Sequence, residues 1–377
     1  MNPIPFNKPF FSGNELKYIT EAINYGKISG NGVFTNKCHA FFENKYGFGK
    51  CLLTSSCTDA LEMAALLIDI KPGDEVIVPS YSFVSTANAF ALRGASLKFA
   101  DSTNVSPHIS PESIEEAITS STKAVVIVHY GGVACDMEKI LAIVNKYNLF
   151  LVEDCAHSID SFWNGKPLGS LGSFGTFSFH ETKNIISGEG GLLTINRIEN
   201  RNRSEIIWEK GTNRAAFSRG EVEKYSWIDL GSSYLPSEVT AAFLFAQLES
   251  LNFIQEKRIK IWNQYYCGLK SLEEQGYLEL PLIPDYATNN GHLFYLLADS
   301  LETRNNLIQF LAKSNINAVF HYLPLHQSPF IQKAGSSNEL TNVFKYSNQL
   351  IRLPLFFEIT DGQVEYIIQK ITDFYKK

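Results

Sequence analysis

Residues 124–154, AVVIVHYGGVACDMEKILAIVNKYNLFLVED, hold two apolar runs of strand length separated by a segment with helical spacing. Residues 124–129 and 149–153 are typical of buried strands, and residues 137–146 repeat apolar side chains at the period of a helix. Two parallel strands require a crossover connection of this kind. The stretch therefore predicts a parallel strand pair with its crossover helix.

The same alternation continues in both directions, from about Cys51 to Asn196. Strands are predicted at 76–79 and 97–100 and a helix at 83–93, and Ser110 and Pro111 open a further helix with proline at its first position. This order is typical of an α/β domain with a mainly parallel sheet. Longer helical stretches follow, notably at 238–264, so we expect a large domain at 1–250 and a smaller one at 251–377. The N-terminal segment is a candidate for packing on the small domain.

Composition excludes several classes of protein. The chain has 377 residues, 45% of them hydrophobic, and a formal net charge of -6 without basic runs. Nucleic acid is therefore not an expected partner. No apolar stretch has the length of a membrane span, and residues 1–5 do not resemble a secretory signal, so we expect a cytoplasmic protein without a membrane partner.

Neither cysteines nor glycines indicate a metal or dinucleotide site. The cysteines are widely spaced without a C-x-x-C pair, which favours reduced thiols over zinc ligands or disulfides; they are Cys38, Cys51, Cys57, Cys135, Cys155 and Cys267. Gly169, Gly172 and Gly175 are spaced G-x-x-G-x-x-G and lead into a strand, whereas a dinucleotide fingerprint needs G-x-G-x-x-G before a helix. Turn glycines explain this spacing better, and no metal site is expected.

Lys183 is the candidate nucleophile. It lies between the apolar residues 177–179 and the turn Gly188-Glu189-Gly190-Gly191. Burial would favour its neutral amine, the form that makes a Schiff base. A solvated surface lysine is the alternative on local sequence alone.

Two further features accompany Lys183. Residues 54–59, TSSCTD, place small hydroxyl residues before the amphipathic run 60–67, and the N-terminus of such a helix can bind a phosphate. Ser56 and Asp59 could equally form only a capping box. Asp154 ends a predicted strand, where ligands of open α/β sheets bind, and it could hold a protonated pyridine nitrogen or merely cap a turn. Glu153 should point to the opposite face.

The chain order of these three features resembles that of the DegT/DnrJ/EryC1/StrS family of sugar aminotransferases. The resemblance covers nearly the whole chain, at 78–83 (VPSYSF), 152–157 (VEDCAH), 177–184 (FSFHETKN), 188–191 (GEGG) and 322–326 (YLPLH). It implies the pyridoxal phosphate-dependent transferase fold of the aspartate aminotransferase type I, with a mainly parallel large domain and a smaller α+β C-terminal domain. It also implies pyridoxal 5'-phosphate as cofactor and a homodimer with shared active sites.

The resemblance assigns roles to four residues around the cofactor ring. Lys183 forms the Schiff base and then acts as general base. Asp154 pairs with the pyridine nitrogen, Phe83 covers one face of the ring, and His157 lies near the ring hydroxyl.

Four further residues are assigned to the cofactor phosphate. The amides of Cys57 and Thr58 and the hydroxyl of Ser178 hold it within one chain. Most relatives carry G-Y-N-Y-R at 231–235, where the asparagine contacts the phosphate of the partner subunit. Ser233 takes that place here, and its side chain is shorter.

The segments 178–184, 209–214 and 231–235 resemble the branch of this family that forms dTDP-4-amino-4,6-dideoxygalactose for enterobacterial common antigen and lipopolysaccharide. This implies a dTDP-linked keto sugar as substrate and L-glutamate as amino donor. Tyr322 and His326 are the candidate sugar-side residues, with ordinary packing near the domain seam as the alternative.

Three other functions stay open on the sequence. They are amination at C-3 of a dTDP-3-keto-6-deoxyhexose, a non-catalytic regulator that senses sugar nucleotides, and a nicotinamide-dependent reductase, which the glycine spacing weakens. Lys183 argues against the sibling dehydratases, which have histidine at its place.

Overall fold

The computed structural model describes residues 2–333 and 340–376. Within these ranges no helix has both the length and the apolar composition needed to span a membrane. The α-helices, in chain order, are α1 (Glu15–Asn24), α2 (Val33–Tyr46), α3 (Cys57–Leu67), α4 (Ser85–Ala91), α5 (Pro111–Ala117), α6 (Met137–Lys146), α7 (Arg201–Trp208), α8 (Arg214–Ser218), α9 (Glu238–Glu249), α10 (Leu251–Glu274), α11 (Leu301–Lys313), α12 (Pro329–Gln332), α13 (Thr341–Gln349) and α14 (Asp361–Tyr375).

The strands form one large sheet and two small ones. They are β1 (Cys51–Thr54), β2 (Glu75–Pro79), β3 (Ser96–Ala100), β4 (Thr122–Val128), β5 (Phe150–Asp154), β6 (Phe162–Trp163), β7 (Lys166–Pro167), β8 (Phe174–Ser178), β9 (Gly191–Ile195), β10 (Phe294–Leu297) and β11 (Leu350–Leu353). The large sheet has the order β1-β9-β8-β5-β4-β2-β3. All of its pairs are parallel except the two that involve β9. The predicted mainly parallel α/β sheet is confirmed.

The strand pair predicted from residues 124–154 forms as expected. β4 and β5 are parallel neighbours with Val125 opposite Leu151, and α6 is their crossover. Asp136 caps α6 by accepting a hydrogen bond from the Lys139 amide at 3.3 Å, which satisfies an amide at the open helix end. The buried ends of β4 and β5 therefore lie side by side at the centre of the sheet.

Two predicted helix boundaries are wrong. The helix expected at 238–264 is two helices, α9 and α10, which are separated at Ser250, whose φ of -97° and ψ of 7° are not helical. The helix expected at 83–93 is shortened to α4, because the Thr86 amide bonds to the Phe83 carbonyl three residues back, as in a turn. Phe83 therefore lies in the loop after β2.

A second hydrophobic core lies in the C-terminal part. β10 and β11 pair antiparallel, and one of their faces packs on α10, α11 and α14. Ile4 belongs to this core and exchanges backbone hydrogen bonds with Asn315 and Asn317. The other face of the two strands, with Tyr295 and Leu350, packs on the core of the large sheet. The division into domains at 250 and 251 stays a prediction.

Candidate active site

Lys183 lies in the connection between β8 and β9, where its amide donates to the His180 carbonyl at 2.9 Å. The residue is half-buried. The pKa of its amine is lowered to about 8: burial is the largest cause, Cys57 and Asp154 raise the pKa, and the positive charge of Arg352 lowers it. Near neutral pH about a tenth of the amine is therefore neutral, far more than for an ordinary lysine.

Asp154 ends β5 and is buried. Its carboxylate accepts hydrogen bonds from the Thr86 hydroxyl at 2.8 Å and the Ala156 amide at 3.1 Å. Burial raises the pKa of Asp154 although both hydrogen bonds and the Lys183 charge lower it. A cation placed beside Asp154 would stabilise its carboxylate form.

Glu153 points to the opposite face of the sheet, as expected from strand alternation. Its oxygens accept the amides of Gly169, Leu171 and Gly172 at 2.6 to 3.0 Å. Gly169 has a φ of +87°, which glycine adopts without strain. The glycine run therefore forms a turn around a buried carboxylate, as predicted.

His129, Glu153 and Cys155 have side-chain donor atoms within 4.8 Å of one another. The Glu153 oxygens hold the turn described above, and His129 uses its two nitrogens for Glu153 and the Cys135 amide. These donor atoms serve the packing of β4 against β5 and the turn.

The N-terminus of α3 faces the end of β8. Ser56 caps α3 by accepting the Asp59 amide at 3.0 Å, which is the Ser56 half of the predicted capping box. Cys57 and Thr58 are the first two helical residues, whose amides have no acceptor within a helix. The structure is therefore compatible with both interpretations of residues 54–59, a capped helix and an anion site.

Two hydroxyl groups on β8 lie beside the N-terminus of α3. Thr176 pairs with Asp154 in the parallel register of β5 and β8, and Ser178 lies two residues further on the same face. Among the described residues, the buried Thr176 Oγ1 has no hydrogen-bond partner of good geometry. Ser178 Oγ accepts a long hydrogen bond from the His180 amide, at 3.4 Å. Burial is the largest cause that raises the pKa of the neighbouring Cys57 thiol, so it stays neutral.

His157 is buried and held in its neutral form. The Gly131 amide donates to its Nδ1 at 3.3 Å, and its ring stacks on His292 with centroids 4.2 Å apart. Burial lowers the pKa of both rings well below the usual range. His292 in turn lies 2.8 Å from the side-chain oxygen of Asn184, the neighbour of Lys183.

Phe83 and Tyr322 lie together, whereas His326 lies apart. Phe83 is 58% exposed, with its ring centroid 6.5 Å from that of Tyr322. Tyr322 stacks on His321 at 3.6 Å. His326 is buried against Phe99 and Phe344, and its Nδ1 lies 2.6 Å from Ser80 Oγ. These contacts favour the packing alternative for His326, and the roles of Tyr322 and His326 stay predictions.

Ser233 is exposed, and its backbone forms an isolated antiparallel β-bridge with Glu209. The next carbonyl, of Tyr234, accepts the Ser55 amide at 2.9 Å, so the segment lies beside the N-terminus of α3. Whether Ser233 contacts a partner subunit stays a prediction.

Four site residues were missed from the sequence: Thr176, Asn184, His292 and Arg352. Asn184 could have been found, since it follows Lys183 within the motif 177–184, and Thr176 lies directly before that motif. His292 and Arg352 had no local signal, because only the tertiary fold brings them to the sheet.

Comparison with known proteins identifies the kind of site. The model of the DegT/DnrJ/EryC1/StrS aminotransferase family matches residues 11–372. The spore coat polysaccharide biosynthesis protein SpsC of Bacillus subtilis (strain 168) is 31% identical, with 99% of this chain and 97% of SpsC covered. GDP-perosamine synthase of Escherichia coli O157:H7 is 32% identical, with 100% and 99% covered. The crystal structure of the aminotransferase TlmJ from Streptoalloteichus hindustanus is 27% identical and superimposes with a TM-score of 0.91, with 100% and 99% covered.

Proposed function

Because the chain belongs to the DegT/DnrJ/EryC1/StrS aminotransferase family, we propose that it transfers the amino group of L-glutamate to C-4 of dTDP-4-keto-6-deoxy-D-glucose. The products are dTDP-4-amino-4,6-dideoxy-D-galactose and 2-oxoglutarate. The chain is a sugar aminotransferase, and pyridoxal 5'-phosphate is its cofactor. The substrate, the carbon and the donor are the proposed part.

The residues present fit this cofactor. Lys183 supplies an amine with a pKa of about 8, and Asp154 supplies a buried carboxylate that lacks a cationic partner at hydrogen-bond distance among the described residues. The buried hydroxyl of Thr176 and the first amides of α3 offer donors to an anion. The lowered pKa of Lys183 supports the cofactor, whereas the wording of the segments 178–184, 209–214 and 231–235 is the observation that carries the proposed substrate.

Bound pyridoxal phosphate supplies an aldehyde for the amine and a ring that accepts the electron pair released at the amine-bearing carbon. The neutral Lys183 amine would act as the nucleophile toward this aldehyde and as the base that carries the proton from the donor α-carbon. The Asp154 carboxylate would stabilise a protonated pyridine nitrogen. His157 would lie near the ring hydroxyl, and Phe83 would cover one face of the ring.

The phosphate is assigned to the amides of Cys57 and Thr58 and the hydroxyl of Ser178. Ser233 is assigned to the phosphate of the partner subunit, with a homodimer as the active form. Tyr322 is kept as a sugar-side residue, and His326 as a weaker one because of its burial.

The substrate rests on sequence likeness. The segments 178–184, 209–214 and 231–235 resemble enzymes that form dTDP-4-amino-4,6-dideoxygalactose, and the name GDP-perosamine synthase supports a nucleotide-linked sugar. We assign the product to a cell-surface polysaccharide, in keeping with the name of SpsC, a spore coat polysaccharide biosynthesis protein. We place the reaction in the cytoplasm, where nucleotide sugars and glutamate are present.

The test is incubation of purified holoenzyme with dTDP-4-keto-6-deoxyglucose and glutamate, followed by NMR of the product. Nitrogen at C-4 with the galacto configuration is expected. Nitrogen at C-3, or the gluco configuration, would replace the substrate proposal by another amination. No product and no binding of added cofactor would favour a regulator.

Lys183→Ala should lower the turnover by at least about a thousandfold, because it removes both the nucleophile and the proton carrier. Borohydride should fix the cofactor on Lys183 in the wild type and leave the variant unlabelled, as read by peptide mass spectrometry. Lys313→Ala, at an exposed site on α11, is the control and should keep full turnover. Near-normal turnover of Lys183→Ala would refute the role of this lysine.

A further inference from the structure

The loop after β2 continues directly into α4 and contacts the candidate site at three places. Phe83 is the residue assigned to one face of the cofactor ring. The Thr58 hydroxyl, at the N-terminus of α3, donates to the Ser85 hydroxyl at 2.8 Å. The Thr86 hydroxyl donates to Asp154 Oδ2, also at 2.8 Å. This connection therefore links α3 and β5, the two elements that carry the phosphate and ring residues.

The contact between Thr86 and Asp154 is fully buried, with 1% and 5% of the two residues exposed. Oδ2 of Asp154 accepts the Thr86 hydroxyl, and Oδ1 accepts the Ala156 amide at 3.1 Å. Within residues 2–333 and 340–376, no basic side chain forms an ion pair with Asp154. Two neutral donors therefore stabilise the buried charge of this carboxylate.

Ser82 extends this contact into a chain of three groups. Its buried hydroxyl lies 2.8 Å from the Thr86 hydroxyl. An ionised carboxylate has no proton to give, so Thr86 donates its single proton to Asp154 and accepts one from Ser82. Hydrogen bonds in such a chain polarise one another, which strengthens the donation to the carboxylate. The chain from Ser82 through Thr86 to Asp154 is therefore oriented to favour the anionic aspartate.

Burial and this hydrogen bond act on Asp154 in opposite directions. Burial raises the pKa of Asp154, and the hydrogen bond from Thr86 is the strongest of the causes that lower it. When a basic ring nitrogen lies beside a carboxylate, the one proton between them goes to the more basic of the two groups. A donor that stabilises the carboxylate makes it less basic, and so leaves the proton on the ring nitrogen.

We propose that Thr86 is a positioning residue that keeps Asp154 ionised, and so keeps the pyridine nitrogen of bound pyridoxal phosphate protonated. This role rests on the pairing of Asp154 with the pyridine nitrogen, which belongs to the proposed function. Thr86 acts through Asp154 and needs only its hydroxyl group to do so. A protonated ring is the stronger electron acceptor, so the loss of this hydroxyl affects both halves of the reaction.

Nitrogen NMR of the holoenzyme, loaded with pyridoxal phosphate that is isotopically labelled at the ring nitrogen, reads this proton directly. The chemical shift of the ring nitrogen differs between its protonated and neutral forms. Thr86→Val keeps the shape of the side chain and removes the donor, so it should move the resonance toward the neutral form. Thr86→Ser keeps the hydroxyl and should restore the wild-type position.

A binding measurement complements the spectrum. The cofactor-free protein is titrated with pyridoxal phosphate and with its 1-deaza analogue, in which a C–H group replaces the ring nitrogen. Thr86→Val should weaken the binding of pyridoxal phosphate by at least about tenfold, as expected for a hydrogen bond to a charged group. It should not weaken the binding of the analogue, which has no proton to share with Asp154.

Thr194→Val is the matched control. Thr194 is a buried threonine on β9, and its hydroxyl donates to the Gly169 carbonyl at 2.6 Å. The substitution removes a buried hydroxyl of the same kind away from Asp154. It should lower the melting temperature and leave both the nitrogen resonance and the cofactor affinity as in the wild type.

Two outcomes would overturn the role of Thr86 alone. They are a ring nitrogen as protonated in Thr86→Val as in the wild type, and an equal loss of affinity for pyridoxal phosphate and its analogue. Asp154→Asn tests the premise separately, because it removes the carboxylate itself. If its resonance equals that of the wild type, the proposed pairing of Asp154 is wrong, and the role of Thr86 with it. Neither readout needs the keto sugar, so both are independent of the proposed substrate.

Discussion

The chemistry of Lys183 results from a balance of opposing contributions. Burial and the charge of Arg352 lower the pKa of its amine, while Cys57 and Asp154 raise it, and the outcome is about 8. An exposed lysine has a pKa near 10.4. Lowering the pKa of a lysine increases its neutral fraction at any pH below the usual value, so the fold prepares the nucleophile before any cofactor binds.

The reactivity of Lys183 in the cofactor-free protein should therefore rise with pH and level off just above pH 8. Competitive acetylation, read by peptide mass spectrometry, measures this, with the exposed Lys313 as internal reference. In Arg352→Gln the inflection should move to higher pH, because a charge that disfavours the ammonium form is gone. An inflection for Lys183 near the usual lysine value of about 10.4 would contradict the lowered pKa.

At the residue scale, the sequence predicts the site residues that belong to local motifs. It misses those that only the tertiary fold brings to the site. Lys183 and Asp154 were identified because each follows a strand and belongs to a recognisable segment. Arg352 lies in the short run Leu350–Leu353, which looks like any edge strand, and its effect on Lys183 is visible only after β11 has packed. The burial of His326 was likewise outside the reach of the sequence.

At the scale of elements, the proposed phosphate site depends on how closely β9 approaches α3. A Cβ on Gly191, the first residue of β9, would lie 2.4 Å from the carbonyl carbon of Ser56 and 2.5 Å from the Cys57 nitrogen. These are backbone atoms of the residues that open α3. Glycine at 191 therefore allows the strand and the helix N-terminus to meet.

Gly191→Ala should displace the N-terminus of α3, weakening cofactor binding by about tenfold and lowering stability by about 1–3 kcal/mol. Equilibrium titration of the apoprotein with pyridoxal phosphate and thermal melting are the measurements. Gly188→Ala is the control: its φ is +79° with no atom within 4 Å, so it should cost only about 1 kcal/mol of backbone strain. Equal cofactor affinities in both variants would separate Gly191 from the phosphate site.

At the scale of the whole molecule, the parallel sheet was predictable and its strand order was not. The periodicity of apolar residues in each segment predicts the local alternation of strands and helices, as at 124–154. The antiparallel β9 between β1 and β8 depends on which distant strands pair, and on the reversal made by the loop with Lys183. Such pairings are decided by packing, which a single sequence does not display.

The proposed homodimer has a candidate surface in residues 225–230. Four of these six side chains are large, apolar and more than half exposed: Tyr225 53%, Trp227 77%, Ile228 54% and Leu230 55%. A contiguous exposed apolar segment of this kind is typical of a protein interface. The chain continues directly to Ser233 and to Tyr234, whose carbonyl holds the Ser55 amide beside α3. Subunit contact at this segment would therefore support the phosphate site.

Trp227→Glu should dissociate the dimer, because it places a charge at the most exposed apolar side chain of the segment. Light scattering after size exclusion should give twice the chain mass for the wild type and one chain mass for the variant, with weaker cofactor binding in the monomer. Val105→Glu is the control, since Val105 is 60% exposed but stands between the polar Asn104 and Ser106. A wild-type monomer that binds cofactor fully, or a Trp227→Glu variant that stays dimeric, would refute the interface at 225–230.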